Sequence, residues 1–285
     1  MYSKIVQIGK FLQRQLPGWL FYILGFTFDF FYFIPSGNKK LVQQNKELKD
    51  IWKWKRAFLL ATWPSINDND LKILKWEDCF SVSNFFLHKD INTINPKFHF
   101  FCPYHKPLIL DNYIDWLKSA DKALPKNTSI ILWHTWKELV DKYKLFPNRK
   151  ICYLYLTPFP LKNNIDLQYP MLAPMTWPLM ILPVLIYMWY KEIYLLWCDH
   201  NTLKTYGEDR NDFYDRKQDI RKNAADKNWY WKDIIDALEN ELNVFKQYKY
   251  YKAIADKKWI KIINLSEKSW LDIFEKSNLN KILNH

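Results

Sequence analysis

Short apolar runs alternate with amphipathic stretches along most of this chain, and the runs have the length of buried strands. Such runs, bounded by turn residues, are typical of strands in a parallel sheet. The pattern predicts strands at 58–61, 79–83, 98–102, 129–132, 151–156, 193–197 and 260–266, with intervening or closing helices at 69–75, 107–123, 135–146 and 269–276. Strands that alternate with helices at this spacing indicate an α/β fold: a Rossmann-like parallel sheet flanked by helices.

Two further helices are predicted in the second half of the chain. Residues 170–190 are apolar enough to suggest a membrane span, but Thr176 is a plausible N-cap, Pro178 a first-turn proline, and a strand follows directly. We therefore interpret this stretch as a buried helix under the sheet. A long helix follows the polar segment 201–228, and it carries one apolar stripe of the kind that packs on a core. The stripe consists of Ile234, Ile235, Leu238, Leu242 and Phe245.

The N-terminal part differs in character from the rest. Residues 2–15 alternate basic and apolar side chains at helical spacing, and residues 16–35 are strongly aromatic but contain Asp29 and a proline at each end. Aromatic richness beside basic residues suits the headgroup interface of a membrane better than its interior. The chain is thus divided into a membrane-surface segment at 1–36, a basic linker at 37–54 and a Rossmann-like domain at 55–285. A span, a signal anchor or an apolar arm are the alternatives for the first segment.

Composition and charge limit the classes of binding partner that the sequence predicts. The formal net charge is +12, from 42 basic and 30 acidic residues, which favours a phosphate-bearing substrate or an anionic membrane face. The lysines are dispersed and no nucleic-acid-binding motif is present, so a nucleic-acid partner is not predicted. The four cysteines are widely separated, which is typical of reduced, buried thiols in a cytosolic protein. Cys102 with His105, or Cys198 with its neighbours, lacks the spacing of a zinc site, and no metal is predicted.

Glycine is scarce and tryptophan abundant. The chain has 5 Gly and 15 Trp, whereas about 20 Gly are usual at this length. Trp76, Trp189 and Trp259 each fall where a predicted helix should end in a left-handed residue, a position that glycine usually fills. We hypothesise that several tryptophans stand for glycine in the native protein, through a UGA codon that encodes glycine. The positions concerned are Trp63, Trp76, Trp177, Trp189, Trp197, Trp259 and Trp270.

Candidate chemistry lies at the predicted carboxyl ends of strands, where ligands bind in such folds. Residues 62–65 form a phosphate-type turn after the first strand, although Trp63 stands where a close phosphate approach requires glycine. The strand at 193–197 ends in Asp199, His200 and Asn201, and His is the natural general base near neutral pH. The alternative to a catalytic role is a structural one, in which Asp199 caps the following turn and His200 is a polar surface residue. Residues 201–228 are polar, with interspersed aromatic residues, and are predicted to form a mobile, helical lid.

These motifs resemble the bacterial sialyltransferases of glycosyltransferase family 42 and a related DUF115-like group that includes hydroxymethylpterin diphosphokinase-like members. The resemblance covers about residues 55–280 and is carried by the turn 62–65, by the Asn-containing segment 82–86 and by residues 190–195 running into Asp199. Residues 212–215 and 263–266 look like the DUF115-like group. The resemblance implies a metal-independent enzyme without a cofactor that binds a nucleotide-sugar donor.

Positions for the donor follow from the resemblance and from the strand ends. Thr62, Trp63 (as Gly), Pro64, Ser65 and Asn84 match the family's donor-binding positions. Asn201 and Tyr206 stand near its two phosphate-binding tyrosines, and its second Asn falls at Cys102. The remaining positions, placed at the start of the buried helix and at the end of the last strand, are Thr176, Asn264 and Ser266.

The family's general-base histidine has no counterpart, because no His lies between His200 and His285. His200, assisted by Asp199, is therefore the predicted base. The expected protein is a glycosyltransferase that moves a sugar from a nucleotide donor to a cell-envelope glycan, peripheral on the cytoplasmic face of the membrane. A diphosphokinase-type enzyme and a catalytically dead envelope-associated protein of the same fold are the alternatives.

Overall fold

A parallel sheet forms the centre of the computed structural model, which describes residues 17–34, 37–68, 70–103, 108–159, 165–207, 213–221 and 233–283. Its strands are β1 (Arg56–Leu60), β2 (Asp78–Val82), β3 (Phe98–Phe100), β4 (Ser129–Trp133), β5 (Ile151–Leu154), β8 (Glu192–Leu196), β9 (Lys261–Asn264) and β10 (Glu275–Lys276); the short strands β6 (Leu156–Thr157) and β7 (Met171–Leu172) pair separately. The eight strands follow the order β10-β9-β8-β1-β2-β3-β4-β5, and all pairs are parallel. The predicted α/β fold is confirmed.

Helices cover both faces of the sheet and connect its strands. They are α1 (Gly18–Phe33), α2 (Asn38–Gln43), α3 (Ile91–Ile94), α4 (Leu110–Ala123), α5 (Lys137–Tyr143), α6 (Pro178–Tyr187), α7 (Ile234–Lys257) and α8 (Leu279–Leu283). Every residue of α6 is buried, which confirms the predicted helix under the sheet. The chain adds β2 to β5 on one side of β1, then returns through α6 and adds β8 to β10 on the other side. The order of strands thus reverses between β1 and β8, and in α/β folds ligands bind at the carboxyl ends of the strands beside such a switch point. Here residues 61–65 and 197–201 form this region, which we call the crevice.

Several predicted elements differ in the structure. The helix predicted at 69–75 is a short 3-10 turn at Leu71–Leu74, and another 3-10 turn precedes it at Pro64–Asp68. The helix predicted at 269–276 is absent from that described segment, which holds a loop and β10 instead. Thr176 does not cap α6 with its side chain; its carbonyl accepts a hydrogen bond from the Leu179 N–H, and Trp177 is the N-cap residue.

The predicted apolar stripe of α7 does not face the core. Four of its five residues are exposed, with Ile235 64% exposed and Leu238 and Leu242 each 52% exposed. The buried face consists of Ala237, Glu241, Val244, Gln247, Tyr248, Tyr251 and Ala255. The docking of α7 on the sheet therefore selects a face that contains a carboxylate and a carboxamide.

Residues 37–54, predicted as a polar linker, pack partly on the domain. Val42, Asn45 and Leu48 are buried, and the Asn45 side-chain amide donates to the carbonyls of Tyr153 and Leu167 at 2.7 and 2.9 Å. These two bonds tie the segment to the end of β5. The domain boundary near residue 55 remains a prediction.

Helix α1 exposes most of its aromatic side chains and contacts the domain through a few residues on one face. Phe33 is buried against Val42 and Tyr155, and Thr157 donates a hydrogen bond to Asp29. Gly25 meets the ring of Phe159, and a Cβ at that position would lie 2.5 Å from the ring. Within the described ranges, no single helix is long and apolar enough to cross a membrane. The bent pair formed by residues 18–33 and 38–48 meets that test of length and composition jointly.

All four cysteines are buried and none forms a disulfide. Burial raises the pKa of each thiol, and it brings that of Cys152 to about 11. His105, residues 2–15 and the lid residues 208–212 and 222–228 lie outside the described residues.

Candidate functional site

The crevice at the switch point brings together the turn after β1 and the loop after β8. The Ala61 N–H donates to the carbonyl of Leu196 at 3.2 Å, which continues the pairing of the two strands to their ends. Beyond that contact, the Ser65 hydroxyl donates to Asp199 Oδ1 at 2.8 Å. Two predicted site residues that lie far apart in the sequence are therefore in direct contact.

His200 lies in the same loop but is sealed from solvent. Its side chain is 1% exposed, and its Nε2 is 2.8 Å from the hydroxyl of Tyr248 on α7. The Trp63 indole covers the ring with a centroid separation of 4.9 Å, and Phe245 approaches it at 6.2 Å. Burial lowers the pKa of His200 to about 3, so the imidazole is neutral at physiological pH. The predicted base is in the crevice, beneath a tryptophan.

Glu241 is a site residue that the sequence did not reveal. It is 5% exposed, and its Oε1 lies 4.0 Å from His200 Nδ1. Burial raises the pKa of the carboxyl to about 7, and the Thr202 hydroxyl offers Oε2 a long contact at 3.5 Å. A glutamate in a charged amphipathic helix normally indicates a solvated face. The only sequence signal is its position four residues before Phe245 and seven before Tyr248, which places the three on one face of α7.

Asn84 lies at the carboxyl end of β2, where the resemblance implied, and both ends of its amide are engaged. Its Nδ2 donates to Asp219 Oδ2 at 2.8 Å, and its Oδ1 accepts from the Trp116 indole at 2.6 Å. Arg221 forms a two-pronged ion pair with Asp219 and stacks on Trp116 at 4.2 Å. Burial alone would raise the pKa of Asp219, but the hydrogen bonds and charge of Arg221 outweigh it and hold that pKa below its usual value. A described part of the predicted lid thus sits directly on Asn84.

A buried histidine, His99 on β3, holds the turn that presents Asn84. Its Nδ1 is 2.8 Å from the Ser81 hydroxyl and its Nε2 is 3.0 Å from the carbonyl of Ser83. Ser83 has a φ of 56°, a left-handed conformation that side-chain-bearing residues seldom adopt. The His99 contact stabilises this turn, and the turn directs Asn84 toward α4.

Asn264 and Ser266 lie at the predicted edge of the sheet, but their side chains form hydrogen bonds that stabilise the fold. The Asn264 amide donates to the carbonyl of Leu271 and accepts from the Ser266 N–H, both at 3.0 Å. The Ser266 hydroxyl accepts from the Cys198 N–H at 3.0 Å, and the Ser269 hydroxyl donates to the Cys198 carbonyl at 2.6 Å. These bonds fix the loop that carries Asp199 and His200.

The remaining predicted positions surround the crevice more loosely. Thr62 is buried, Pro64 begins a 3-10 turn and Asn201 precedes the one at Thr202–Thr205. Tyr206 is 42% exposed and Thr176 is half-buried. Among the described residues, no group of three or more His, Cys, Asp or Glu side chains is arranged to hold a metal ion.

No protein-family model matches the sequence, and no curated protein matches it. Solved structures with a similar course of the chain include the sialyltransferase CstII from Campylobacter jejuni in complex with cytidine-5'-monophosphate. That match has a TM-score of 0.46 and 17% identity, and it covers 80% of this chain and 86% of CstII. The monofunctional alpha-2,3-sialyltransferase Cst-I from the same organism matches with a TM-score of 0.46 and 16% identity, over 80% of this chain and 81% of Cst-I. At these values no residue of this chain inherits a role from either enzyme.

Removal of the indole cover should restore an ordinary titration to His200. In Trp63→Gly the imidazole gains a solvated face, so its pKa should rise from about 3 toward the usual 6.5. An NMR titration of the His200 ring proton measures this change. Trp63→Phe, which keeps an apolar cover, should leave the pKa low, and an equally low value in Trp63→Gly would show that α7 alone seals the ring.

Proposed function

We propose that this protein is a glycosyltransferase that moves a sugar from a nucleotide-activated donor to a hydroxyl group of a cell-envelope glycan. The supporting observation is the assembly of Ser65, Asn84, Asp199 and His200 at the carboxyl ends of β1, β2 and β8, at the switch point of a parallel sheet. This location is where α/β folds bind nucleotides, and the residue types suit a charged, hydroxyl-rich ligand.

The proposed reaction needs one proton acceptor and several donors to phosphate. His200 takes the proton of the acceptor hydroxyl while that oxygen bonds to the anomeric carbon of the donor sugar. The bond from this carbon to the phosphate oxygen breaks, and the nucleotide leaves with the electron pair. Ser65, Asn84 and the N–H groups of the turn 62–65 hold the donor and stabilise the departing phosphate.

The identity of residue 63 decides whether this crevice can accept a donor. The Trp63 side chain packs against both main core clusters and covers His200. With tryptophan at this position, the catalytically dead alternative is favoured, because the indole fills the space above the predicted base. With glycine, the turn is open for a phosphate. No observation on the described residues favours the diphosphokinase alternative.

We further propose that several tryptophans stand for glycine in the native protein. Four tryptophans, Trp54, Trp189, Trp197 and Trp259, have φ values between 57° and 74°, the left-handed region that glycine occupies without strain. Trp189 and Trp259 each end a helix in a Schellman arrangement, in which the next N–H donates to a carbonyl five residues back. Trp76 and Trp270, by contrast, lie outside the left-handed region, and only their exposure supports the glycine assignment there. At Trp63 and Trp177 the backbone gives the assignment no support. UGG codons at 189, 197 and 259 in the gene would contradict the proposal.

Helix α1 supports a proposed location at the cytoplasmic membrane surface. Its exposed apolar side chains include Trp19 and Phe31, each 67% exposed, along with Ile23, Leu24 and Phe28. Exposed apolar side chains concentrated on one helix indicate a contact surface, and aromatic side chains favour the lipid headgroup region.

Donor binding should appear as thermal stabilisation. A CMP-, UDP- or GDP-sugar at 100 times its Kd should stabilise Trp63→Gly by about 2.7 kcal/mol and the chain with Trp63 by much less. Adding Asn84→Ala should reduce this stabilisation, because a contact with the nucleotide sugar is lost. Asn92→Ala, at an exposed position, is the matched control and should leave the stabilisation unchanged. A shift with nucleoside triphosphates alone would support the diphosphokinase alternative, and no shift with any ligand would support the dead protein.

The backbone argument predicts opposite effects of the same substitution at two tryptophans. Trp259→Gly relieves a left-handed conformation at an 81% exposed site and should raise the free energy of unfolding by about 1 kcal/mol. Trp116→Gly removes a buried helical side chain and should lower it by more than about 3 kcal/mol. Chemical denaturation measures both, and destabilisation by Trp259→Gly would contradict the glycine assignment.

Membrane binding through α1 should depend on its exposed aromatic residues. The double variant Trp19→Gln/Phe31→Gln should lose at least tenfold in affinity for vesicles that contain anionic lipid, because two interfacial anchors are removed. Vesicle co-sedimentation of the full chain measures this. Trp76→Gln, at an even more exposed aromatic residue elsewhere in the domain, is the control, and equal loss in that variant would contradict a specific role for α1.

A further inference from the structure

We propose that Glu241 is the positioning residue for His200: its carboxylate receives the imidazole Nδ1–H and stabilises the imidazolium that forms when Nε2 accepts the proton of the acceptor hydroxyl. This inference rests on the proposed transferase function. It assigns a role to a residue that neither the motifs nor the resemblance indicated.

The two nitrogens of His200 face different groups of α7. Nε2 is 2.8 Å from the Tyr248 hydroxyl, and Nδ1 is 4.0 Å from Glu241 Oε1. A neutral imidazole carries one proton, and the hydrogen bond at one nitrogen decides which nitrogen holds it. The proximity of the Glu241 carboxylate to Nδ1 favours the tautomer with the ring proton on Nδ1, and the Tyr248 hydroxyl then donates to Nε2.

Glu241 Oε1 is buried without a hydrogen-bond partner among the described residues. Burial of an unsatisfied carboxylate oxygen is costly, so such a group calls for an explanation. A second buried polar side chain on this face, Gln247, is engaged at both ends: its amide donates to the Ala173 carbonyl and accepts from the Met175 N–H. Glu241 Oε1 therefore differs from the Gln247 amide in having no donor within the part of the chain that the structure describes, and the His200 Nδ1 lies 4.0 Å from it.

The chemistry of the pair matches that need. In the proposed reaction the hydroxyl group of the glycan acceptor takes the place of the Tyr248 hydroxyl at Nε2. When Nε2 accepts the proton of that group, the ring becomes positively charged in a site sealed from water. An adjacent carboxylate offsets this charge and keeps the tautomer whose free nitrogen faces the substrate, as the acidic member of a catalytic triad does. Closing the 4.0 Å gap to a hydrogen bond requires a side-chain movement of about 1 Å.

The ionisation of Glu241 gives the pair a pH dependence. Its pKa lies near 7 because burial disfavours the charged form, so the carboxylate is present above pH 7 and lost below it. Among the described residues, further titratable groups beside His200 are its chain neighbours Cys198 and Asp199 and the Tyr248 hydroxyl on α7. Burial raises the pKa of Cys198 and Tyr248, so neither ionises near neutral pH. The rate of transfer should therefore rise as the pH increases through 7.

The test compares Glu241→Gln with Glu239→Gln, an exposed glutamate on the same helix, in the full chain with Trp63→Gly. Nitrogen-15 NMR of labelled histidine at pH 8 should show the Nδ1–H tautomer of His200 in the parent and in Glu239→Gln, and a changed tautomer mixture in Glu241→Gln. In the transfer assay, Glu241→Gln should lower kcat at least 100-fold, leave the KM for the donor unchanged and remove the rise near pH 7.

The two measurements separate the inference from the function on which it rests. An unchanged tautomer in Glu241→Gln overturns the inference whether or not the protein transfers sugar. A changed tautomer with full kcat overturns the catalytic part. A changed tautomer in a protein that transfers no sugar in any variant contradicts the proposed function, and leaves Glu241 as the group that orients His200.

Discussion

The parallel pairing of β1 with β8 is the interaction on which the crevice depends. Every residue of β1 has a partner in β8, from Arg56 with Glu192 to Leu60 with Leu196, and Phe58 stacks on Tyr194 across the pair at 5.0 Å. The two strands are separated in sequence by the entire β2 to β5 half of the sheet. The turn 62–65 and the loop after β8 therefore meet only when the C-terminal part has docked, and such non-local pairing is entropically costly to form.

Burial sets the charge states around this crevice. The same low polarity that keeps His200 neutral keeps a proton on Glu241 up to about pH 7. Trp63 contributes to that environment directly, because its indole lies against the imidazole. Trp63, in the turn after β1, thus contributes to the burial of the imidazole.

Strands β1 to β5, β8 and β9 could be predicted from the sequence because each is a short apolar run whose burial in a two-sided sheet needs no further information. Strand β10 (Glu275–Lys276) is charged and exposed, and the sequence there predicts a helix instead. The faces of the helices could not be predicted either. The stripe at Ile235, Leu238 and Leu242 is apolar, yet α7 docks through the face that carries Glu241 and Tyr248. A helix with apolar residues on two faces does not specify which one is buried; the shape of the sheet beneath it does.

The candidate site shows the same division. Ser65, Asn84, Asp199 and His200 follow predicted strands, so the topology alone placed them at one edge. The contacts of Asn84 were not predictable, because Trp116 and the ion pair of Asp219 with Arg221 come from segments with no strand to locate them. Local sequence identifies what stands at the end of a strand, but not what lies across from it.

Because the Asn84 amide donates a hydrogen bond to Asp219, a side chain of the protein itself occupies the group that a ligand would use. Any ligand that uses this amide must first displace a carboxylate that is tethered to the same chain and is therefore always present. If the tethered contact is worth about 1.4 kcal/mol, the apparent affinity of the ligand falls about tenfold below its intrinsic value. A ligand whose own anionic group replaced Asp219 at both Asn84 and Arg221 would recover that loss, so this contact would favour ligands that carry negative charge at this point.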